Sequence, residues 1–154
     1  MSDPAVTTVE VGERQVSRRA TVSAPAADLF AMLADPHRHH EVDGSGSVRS
    51  NVKGPHAVEL GDSFTVGMRM FGVPYRITSK VTALQDGRLI EWQHPAGQRW
   101  RWEFLPLSET STQVTETFDY RESKAAKVLE AVKFPAKNAH GIEATLKGLQ
   151  SRFG

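Results

Sequence analysis

Between residues 48 and 120, apolar side chains recur at every second position, which is the spacing of residues on one face of a β-strand. Turn sequences separate these runs, among them Gln85-Asp86-Gly87 and His94-Pro95-Ala96-Gly97. The pattern predicts six consecutive strands joined by hairpins. A weaker alternation predicts another strand near residues 14–22, so the expected sheet is antiparallel and has seven strands.

Two short helical segments lie between the first strand and the other six. Residues 25–34 have apolar side chains at helical spacing, and proline at position 25 is tolerated in a first helical turn. Asp35-Pro36 ends this helix, because the residue before a proline avoids the helical conformation. A second short turn is expected at His37–Glu41.

A long helical segment ends the chain. Between residues 123 and 153, apolar side chains follow spacings of three and four. Pro135 removes a backbone donor inside this pattern, so we expect the helix to bend or break near Val132–Pro135. The predicted sheet carries three tryptophans and must be covered, and this helix is the large amphipathic element available. The sequence therefore predicts an α+β fold.

The overall composition excludes several classes of function. The 154 residues fit one domain, and 19 basic against 18 acidic side chains give a formal net charge of +1. This balance provides no electrostatic reason to expect a nucleic acid partner. The chain contains no cysteine, so disulfides and thiolate chemistry are excluded.

The N-terminal segment looks different from the rest of the chain. Residues 1–13 are polar and aperiodic, and we expect them to form a loose leader before a single domain at 14–154. They lack the basic and apolar regions of a signal peptide. No apolar run approaches the roughly 20 residues that span a bilayer, so the expected location is the cytoplasm.

Several short sequences occur in a recognisable order. They are Val22-Ser23-Ala24-Pro25 followed by Leu29-Phe30, Leu33-Ala34-Asp35-Pro36 followed by His39, Gly61-Asp62 before a strand, and Thr115-Glu116-Thr117 in the last strand. With the order of elements, they make residues 14–153 resemble the START-like helix-grip superfamily, and within it the polyketide cyclase/dehydrase-type (SRPBCC) proteins. The segment 35–46 is similar to an actinobacterial subgroup of these proteins.

The resemblance implies a curved sheet wrapped around the C-terminal helix, with a cavity between them. Cavities of this kind are mostly apolar and hold few polar groups. Alternation places eight side chains on the inward face, either as ligand-binding residues or as plain core. They are Met68, Met70, Tyr75, Ile77, Trp92, Trp100, Trp102 and Phe118.

Glu116 is the polar residue of greatest interest, because it shares a strand face with Val114 and Phe118. A carboxylate on such a face is costly unless it is paired or protonated. The strand order of the helix-grip fold places the first and last strands side by side, which makes a structural pair with Arg18 plausible. Without that pair, Glu116 could orient a ligand or act as a general base. We favour the paired arrangement.

Two further residues are weak catalytic candidates. His94 lies at a strand end on the same face as Trp92, where it could protonate a substrate oxygen or merely line the rim. Tyr75 has a hydroxyl that could bind a carbonyl group, although tyrosine is ordinary in strands. No nucleophilic triad order, phosphate-binding loop or metal-ligand spacing is present, so neither a cofactor nor a metal is expected.

The histidines at positions 37, 39 and 40 could suggest a metal site. His39 and His40 are adjacent and must diverge on a helical turn, whereas His37 and Glu41 could meet. We interpret the group as a solvated turn in which one histidine caps the preceding helix. Asp43 and Ser45 are interpreted first as turn residues that could lie near a pocket mouth.

The leading functional hypothesis is binding of a hydrophobic small molecule, lipid-like, aromatic or polyketide-like, by a monomer or homodimer. The first alternative is an aromatase/cyclase-type enzyme in which Glu116, His94 or Tyr75 moves protons on a polyketide-like substrate. The second is a protein-interaction module without a ligand. A cavity that holds an isolated, desolvated carboxylate would favour the enzyme, and a cavity with no titratable group would favour the binding protein. A filled core with an exposed apolar patch would favour the module.

Overall fold

The computed structural model describes residues 5–45, 47–70 and 72–153. Alternating segments form the strands and segments of helical spacing form the helices, as the sequence predicts. The elements are β1 (Thr7–Thr8), β2 (Gln15–Val22), α1 (Ala26–Leu33), a 3-10 turn (Pro36–Arg38), α2 (His39–Val42), β3 (Val48–Lys53), β4 (Ser63–Met70), β5 (Val73–Gln85), β6 (Leu89–Gln93), β7 (Arg99–Ser108), β8 (Ser111–Asp119), α3 (Ala126–Ala131) and α4 (Phe134–Phe153).

The strands form one antiparallel sheet in the order β1-β2-β8-β7-β6-β5-β4-β3. The last six strands form a meander, and β2 pairs with β8, so the first long strand lies beside the last one. Register shifts occur between β3 and β4, β5 and β6, and β7 and β8. Such bulges bend a sheet and increase its twist, which lets this one fold over a helix.

The described sheet has eight strands rather than the seven predicted from the sequence. The additional strand, β1, lies in the segment that we expected to be a loose leader. Thr7 and Thr8 pair with Arg19 and Arg18 at the sheet edge, and both threonines are exposed. Two exposed polar residues show no alternation of apolar and polar side chains, so the sequence pattern does not reveal this strand. It forms because the edge of β2 is available for pairing.

The C-terminal helix breaks where the sequence predicts. α3 ends at Ala131 and α4 begins at Phe134, and between them Lys133 has a φ of 60°. This places Pro135 in the first turn of α4, where a missing N–H costs no hydrogen bond. Val128 and Val132 are 62% and 65% exposed, so these two apolar residues of the predicted helix do not help to cover the sheet.

The core lies between the sheet and its helices. α4 packs mainly against β2, and α1 lies against β7. Within the described ranges, no helix combines the length and the apolar character needed to span a membrane. The side chains buried most completely include Leu29, Met32, Leu33, Ile90, Ile142, Leu146 and Leu149.

Candidate functional site

A cavity of about 320 Å³ lies between α4 and the inner face of the sheet. Its volume falls at the lower end of the range typical of small-molecule sites. All eight side chains predicted to bind a ligand line it, although their contact with a ligand stays a prediction. They are Met68, Met70, Tyr75, Ile77, Trp92, Trp100, Trp102 and Phe118.

One wall of the cavity is aromatic. In β6 and β7, Trp92 and Trp100 are register partners, and Trp100 is also the partner of Phe118 in β8. The Trp100 and Phe118 rings lie 4.8 Å apart between centroids. Cross-strand pairs of this kind hold flat aromatic faces in fixed positions, so the wall is rigid and suits an apolar or aromatic ligand.

The opposite wall is formed by β4 and β5 and is more adaptable. Met68 pairs with Tyr75, and Val66 pairs with Ile77. Methionine side chains fill irregular space without a fixed shape. Tyr75 is 37% exposed, which places this residue where the cavity meets solvent.

α4 forms the third side of the cavity and was missing from the predicted site. Phe134, Asn138 and Ile142 recur every four residues and all line the cavity, as does Thr145. The sequence signal was available, because the polar Asn138 lies one turn before the buried Ile142 on a helix that had to cover the sheet. Apolar periodicity alone does not identify this residue, because Asn138 is polar.

The loop after α2 approaches α4 unusually closely. A Cβ atom at Gly44 would lie 2.5 Å from the backbone of Ala144 and Thr145, and the Gly44 N–H donates to Thr145 Oγ1 at 2.8 Å. Asp43 Oδ1 accepts from both the N–H and the hydroxyl of Ser45, at 3.1 and 2.7 Å. These contacts confirm the predicted turn, and both turn residues line the cavity.

Glu116 is buried in the cavity wall with only 6% of its surface exposed. Its Oε1 atom has no hydrogen-bond partner among the described residues. Burial is the main cause that raises the pKa of Glu116 well above 4.5, and the negative charge of Asp43 raises it further. The carboxyl group therefore favours the neutral, protonated form.

The predicted pairing of Arg18 with Glu116 is wrong, although their adjacency is right. The two residues are register partners in β2 and β8. The Arg18 guanidinium nevertheless binds Glu143 of α4, with Nε and Oε1 2.9 Å apart, and donates to the Ser17 carbonyl at 2.9 Å. Glu143 lies closer to solvent, so the ion pair forms there at a smaller desolvation cost.

His39 is a cavity residue that the sequence analysis placed in a solvated turn. It is buried, and its Nε2 atom lies 2.8 Å from the Leu33 carbonyl at the end of α1, which confirms the predicted cap. Its ring stacks on Trp92 at 4.7 Å between centroids. Burial lowers the pKa of His39 to about 4, so the ring is neutral at neutral pH.

The other two catalytic candidates also line the cavity. Burial lowers the pKa of His94 to about 4 and raises the pKa of Tyr75 above 10.0. At neutral pH both side chains are therefore uncharged. A catalytic role for Glu116, His94 or Tyr75 stays a prediction.

A group of potential metal ligands lies outside the cavity, at Asp35, His37 and His56. The two histidine rings stack 3.9 Å apart at 20°, and His37 Nε2 bonds to the Gly54 carbonyl at 2.8 Å. Nitrogen lone pairs lie in the ring plane, so two nearly parallel rings do not converge on one ion. Glu41, the other proposed partner of His37, instead binds Arg38 and Arg152.

An open antiparallel sheet that folds over a long C-terminal helix and encloses a cavity defines the helix-grip class of proteins. The chain belongs to the family described as polyketide cyclase / dehydrase and lipid transport, whose model matches residues 13–154. This membership confirms the resemblance inferred from the short sequence motifs.

The chain is also similar to individual proteins in sequence or in fold. The chain is 53% identical over 152 residues to the uncharacterized protein Rv0088 of Mycobacterium tuberculosis, covering 96% of this chain and 68% of that protein. It is similar in fold to protein Ms6760 of Mycobacterium smegmatis, with a TM-score of 0.71, 17% identity and 96% of both chains covered. The major latex-like protein 151 of Panax ginseng gives a TM-score of 0.69 at 10% identity, covering 90% of this chain and 96% of that one.

Proposed function

We propose that this protein binds an apolar small molecule in the cavity between α4 and the sheet. The observation that carries the proposal is the cavity itself, about 320 Å³ of mainly apolar space whose lining includes tryptophan, phenylalanine and methionine side chains. Closely packed protein interiors contain few voids larger than one water molecule. This space corresponds to about ten water volumes, which is room for a compact aromatic or lipid-like molecule.

Membership of the family supports the same function, since the family is described by cyclase and dehydrase activity together with lipid transport. Each of these functions requires the protein to bind a molecule. The alternative of a ligand-free interaction module requires a filled interior, and a cavity of about 320 Å³ argues against it.

The test is equilibrium dialysis of naphthalene against the wild-type protein and two variants of β5. Ile77→Trp adds volume inside the cavity, whereas Thr78→Trp adds the same ring on the exposed face one residue later. We expect wild type and Thr78→Trp to bind naphthalene and Ile77→Trp to bind it at least tenfold more weakly. Equal binding by the two variants, or none by wild type, would refute the proposal.

A second candidate function is proton-transfer catalysis on the bound molecule, as in an aromatase/cyclase. One observation favours it: the buried Glu116 side chain lines the cavity, and its Oε1 atom has no hydrogen-bond partner among the described residues. A carboxyl group of raised pKa in an apolar site is a suitable general acid or base near neutral pH. His94 and Tyr75 line the same space and could assist.

5-Nitrobenzisoxazole tests this second candidate without knowledge of the natural substrate. A general base removes the proton from its carbon atom 3, the C=N bond becomes a nitrile and the ring N–O bond breaks, so the ring-opened product is a coloured cyanophenolate. If Glu116 can transfer protons to a bound ligand, wild type accelerates this reaction and the rate increases with pH as the carboxyl ionises. Glu116→Gln should abolish the acceleration, and Glu103→Gln on the exposed face should not. A wild-type rate equal to that of Glu116→Gln counts against catalysis.

A further inference from the structure

Three buried side-chain polar atoms in the described part of the chain have no hydrogen-bond partner. They are Arg99 Nε, Glu116 Oε1 and Asn138 Nδ2. Folded proteins satisfy the large majority of such atoms, so each exception requires an explanation. Two of the three, on Glu116 and Asn138, belong to side chains that line the cavity. The coincidence indicates that a bound molecule supplies the missing partners.

The two side chains reach the cavity from opposite sides. Glu116 belongs to β8 in the sheet, where Trp102 is its register partner. Asn138 belongs to α4, between the cavity-lining residues Phe134 and Ile142. Each polar group is therefore set in apolar surroundings, and a ligand in the cavity lies between sheet and helix.

The charges around the cavity select among possible ligands. Asp43 lies close enough to Glu116 to act on it electrostatically, and it is also a lining residue of the cavity. A second negative charge beside these two acidic groups would be repelled in surroundings of low dielectric constant. Lys137 also lines the cavity and offers positive charge, but its side chain is on the exposed part of α4.

The hydrogen-bonding capacity of Glu116 and Asn138 further restricts the class of ligand. A neutral carboxyl group both donates and accepts a hydrogen bond, whereas a carboxamide NH₂ group only donates. A hydroxyl or carbonyl oxygen can accept from both groups. An aliphatic molecule without an oxygen would leave both polar atoms unsatisfied, at the cost that buried unpaired groups carry.

We propose that Glu116 and Asn138 together bind the polar end of an uncharged, oxygen-bearing apolar ligand, an alcohol, phenol or ketone rather than a carboxylate. The inference rests on the proposed ligand-binding function and specifies the ligand class. It assigns Glu116 and Asn138 as the specificity-determining residues of the cavity, with the aromatic wall binding the apolar body.

The experiment compares naphthalene, 2-naphthol and 2-naphthoate in equilibrium dialysis at pH 7. The ring system is the same in all three, so the comparison isolates the polar group. We expect 2-naphthol to bind about tenfold more tightly than naphthalene, as one or two buried hydrogen bonds imply. 2-Naphthoate should bind at least tenfold more weakly than 2-naphthol.

The variants Glu116→Leu and Asn138→Leu assign the effect to the two residues. Each should reduce the preference for 2-naphthol over naphthalene toward unity while naphthalene still binds, which also shows that the variant is folded. Glu116→Gln retains a donor and an acceptor, so it should keep the preference. Glu103→Gln makes the same change on the exposed face of β7 and serves as the control.

The outcomes separate this inference from the proposed function. Binding of naphthalene without a preference for 2-naphthol, or tighter binding of 2-naphthoate with its charge near Lys137, overturns the assignment and leaves the binding function intact. A preference that survives in both leucine variants also overturns it. If none of the three compounds binds to wild type, the proposed function itself is refuted.

Discussion

Replacing Glu116 with glutamine should change how the stability of the protein depends on pH. The structure raises the pKa of this carboxyl well above 4.5, chiefly through burial. In the unfolded chain the same group ionises near its ordinary value. Between these two pKa values, the unfolded state releases a proton that the folded state keeps, so unfolding becomes more favourable as the pH rises. Glutamine has the same shape and does not titrate.

The magnitude follows from the linkage relation. One group that is protonated only in the folded state lowers the free energy of unfolding by about 1.4 kcal/mol per pH unit. Below the pKa that Glu116 has in the unfolded chain, its contribution to stability is fully present. This contribution is lost as the pH rises through the pKa that Glu116 has in the folded protein. The stability of Glu116→Gln minus that of wild type should therefore increase from about pH 5 upward and level off above the folded pKa.

Urea denaturation at intervals from pH 5 to pH 8 measures this difference. His39 and His94 also titrate differently in the two states, because their folded pKa values are about 4. They lower stability as the pH falls below 6.5, but they do so in both proteins and cancel in the difference. Glu103→Gln makes the same change at an exposed position of β7 and is the control. A flat difference for Glu116→Gln would refute the claim that this carboxyl is desolvated, and a decreasing one would mean that it is ion-paired.

Three further predictions concern stability and are measured by urea denaturation. Gly44→Ala should destabilise the protein by about 1–3 kcal/mol, because the new Cβ atom would lie 2.5 Å from backbone atoms of α4. Gly148→Ala has open space around the new Cβ atom and should stabilise the protein by up to about 1 kcal/mol. Equal effects of the two changes would contradict the close approach of Gly44 to α4. Wild type should lose on the order of 3 kcal/mol of stability between pH 6.5 and pH 4 through His39, because the folded pKa of His39 is about 4, and His39→Phe should not show this loss. An unchanged pH profile in the variant would show that His39 is not buried. Glu91→Ala should cost about 1–3 kcal/mol, because it removes a buried carboxylate 2.7 Å from the Arg101 guanidinium; a neutral effect would mean that this ion pair contributes nothing.

Features governed by local physics could be predicted from the sequence. The alternation of apolar residues decided which segments became strands and which faces turned inward, so the inward-facing side chains predicted from it line the cavity. The break before α4 followed from Pro135, because a proline excludes the helix interior whatever surrounds it. The resemblance supplied the strand order, and with it the adjacency of Arg18 and Glu116.

Features that depend on which distant surfaces meet were decided only in the tertiary structure. The sequence shows that Arg18 and Glu116 can be neighbours, but not that Glu143, 125 residues away from Arg18, approaches the guanidinium more closely. Nor does it show that His39 is buried against Trp92. The ion pair of Arg18 depends on how α4 is rotated against the sheet, and the burial of side chains depends on the path of the loop at Gly44. Neither the rotation nor the loop path is encoded in a local sequence pattern. The sequence therefore determined the part of the cavity wall that the sheet forms. The packing of α4 determined the remaining wall and left Glu116 Oε1 and Asn138 Nδ2 without hydrogen-bond partners among the described residues.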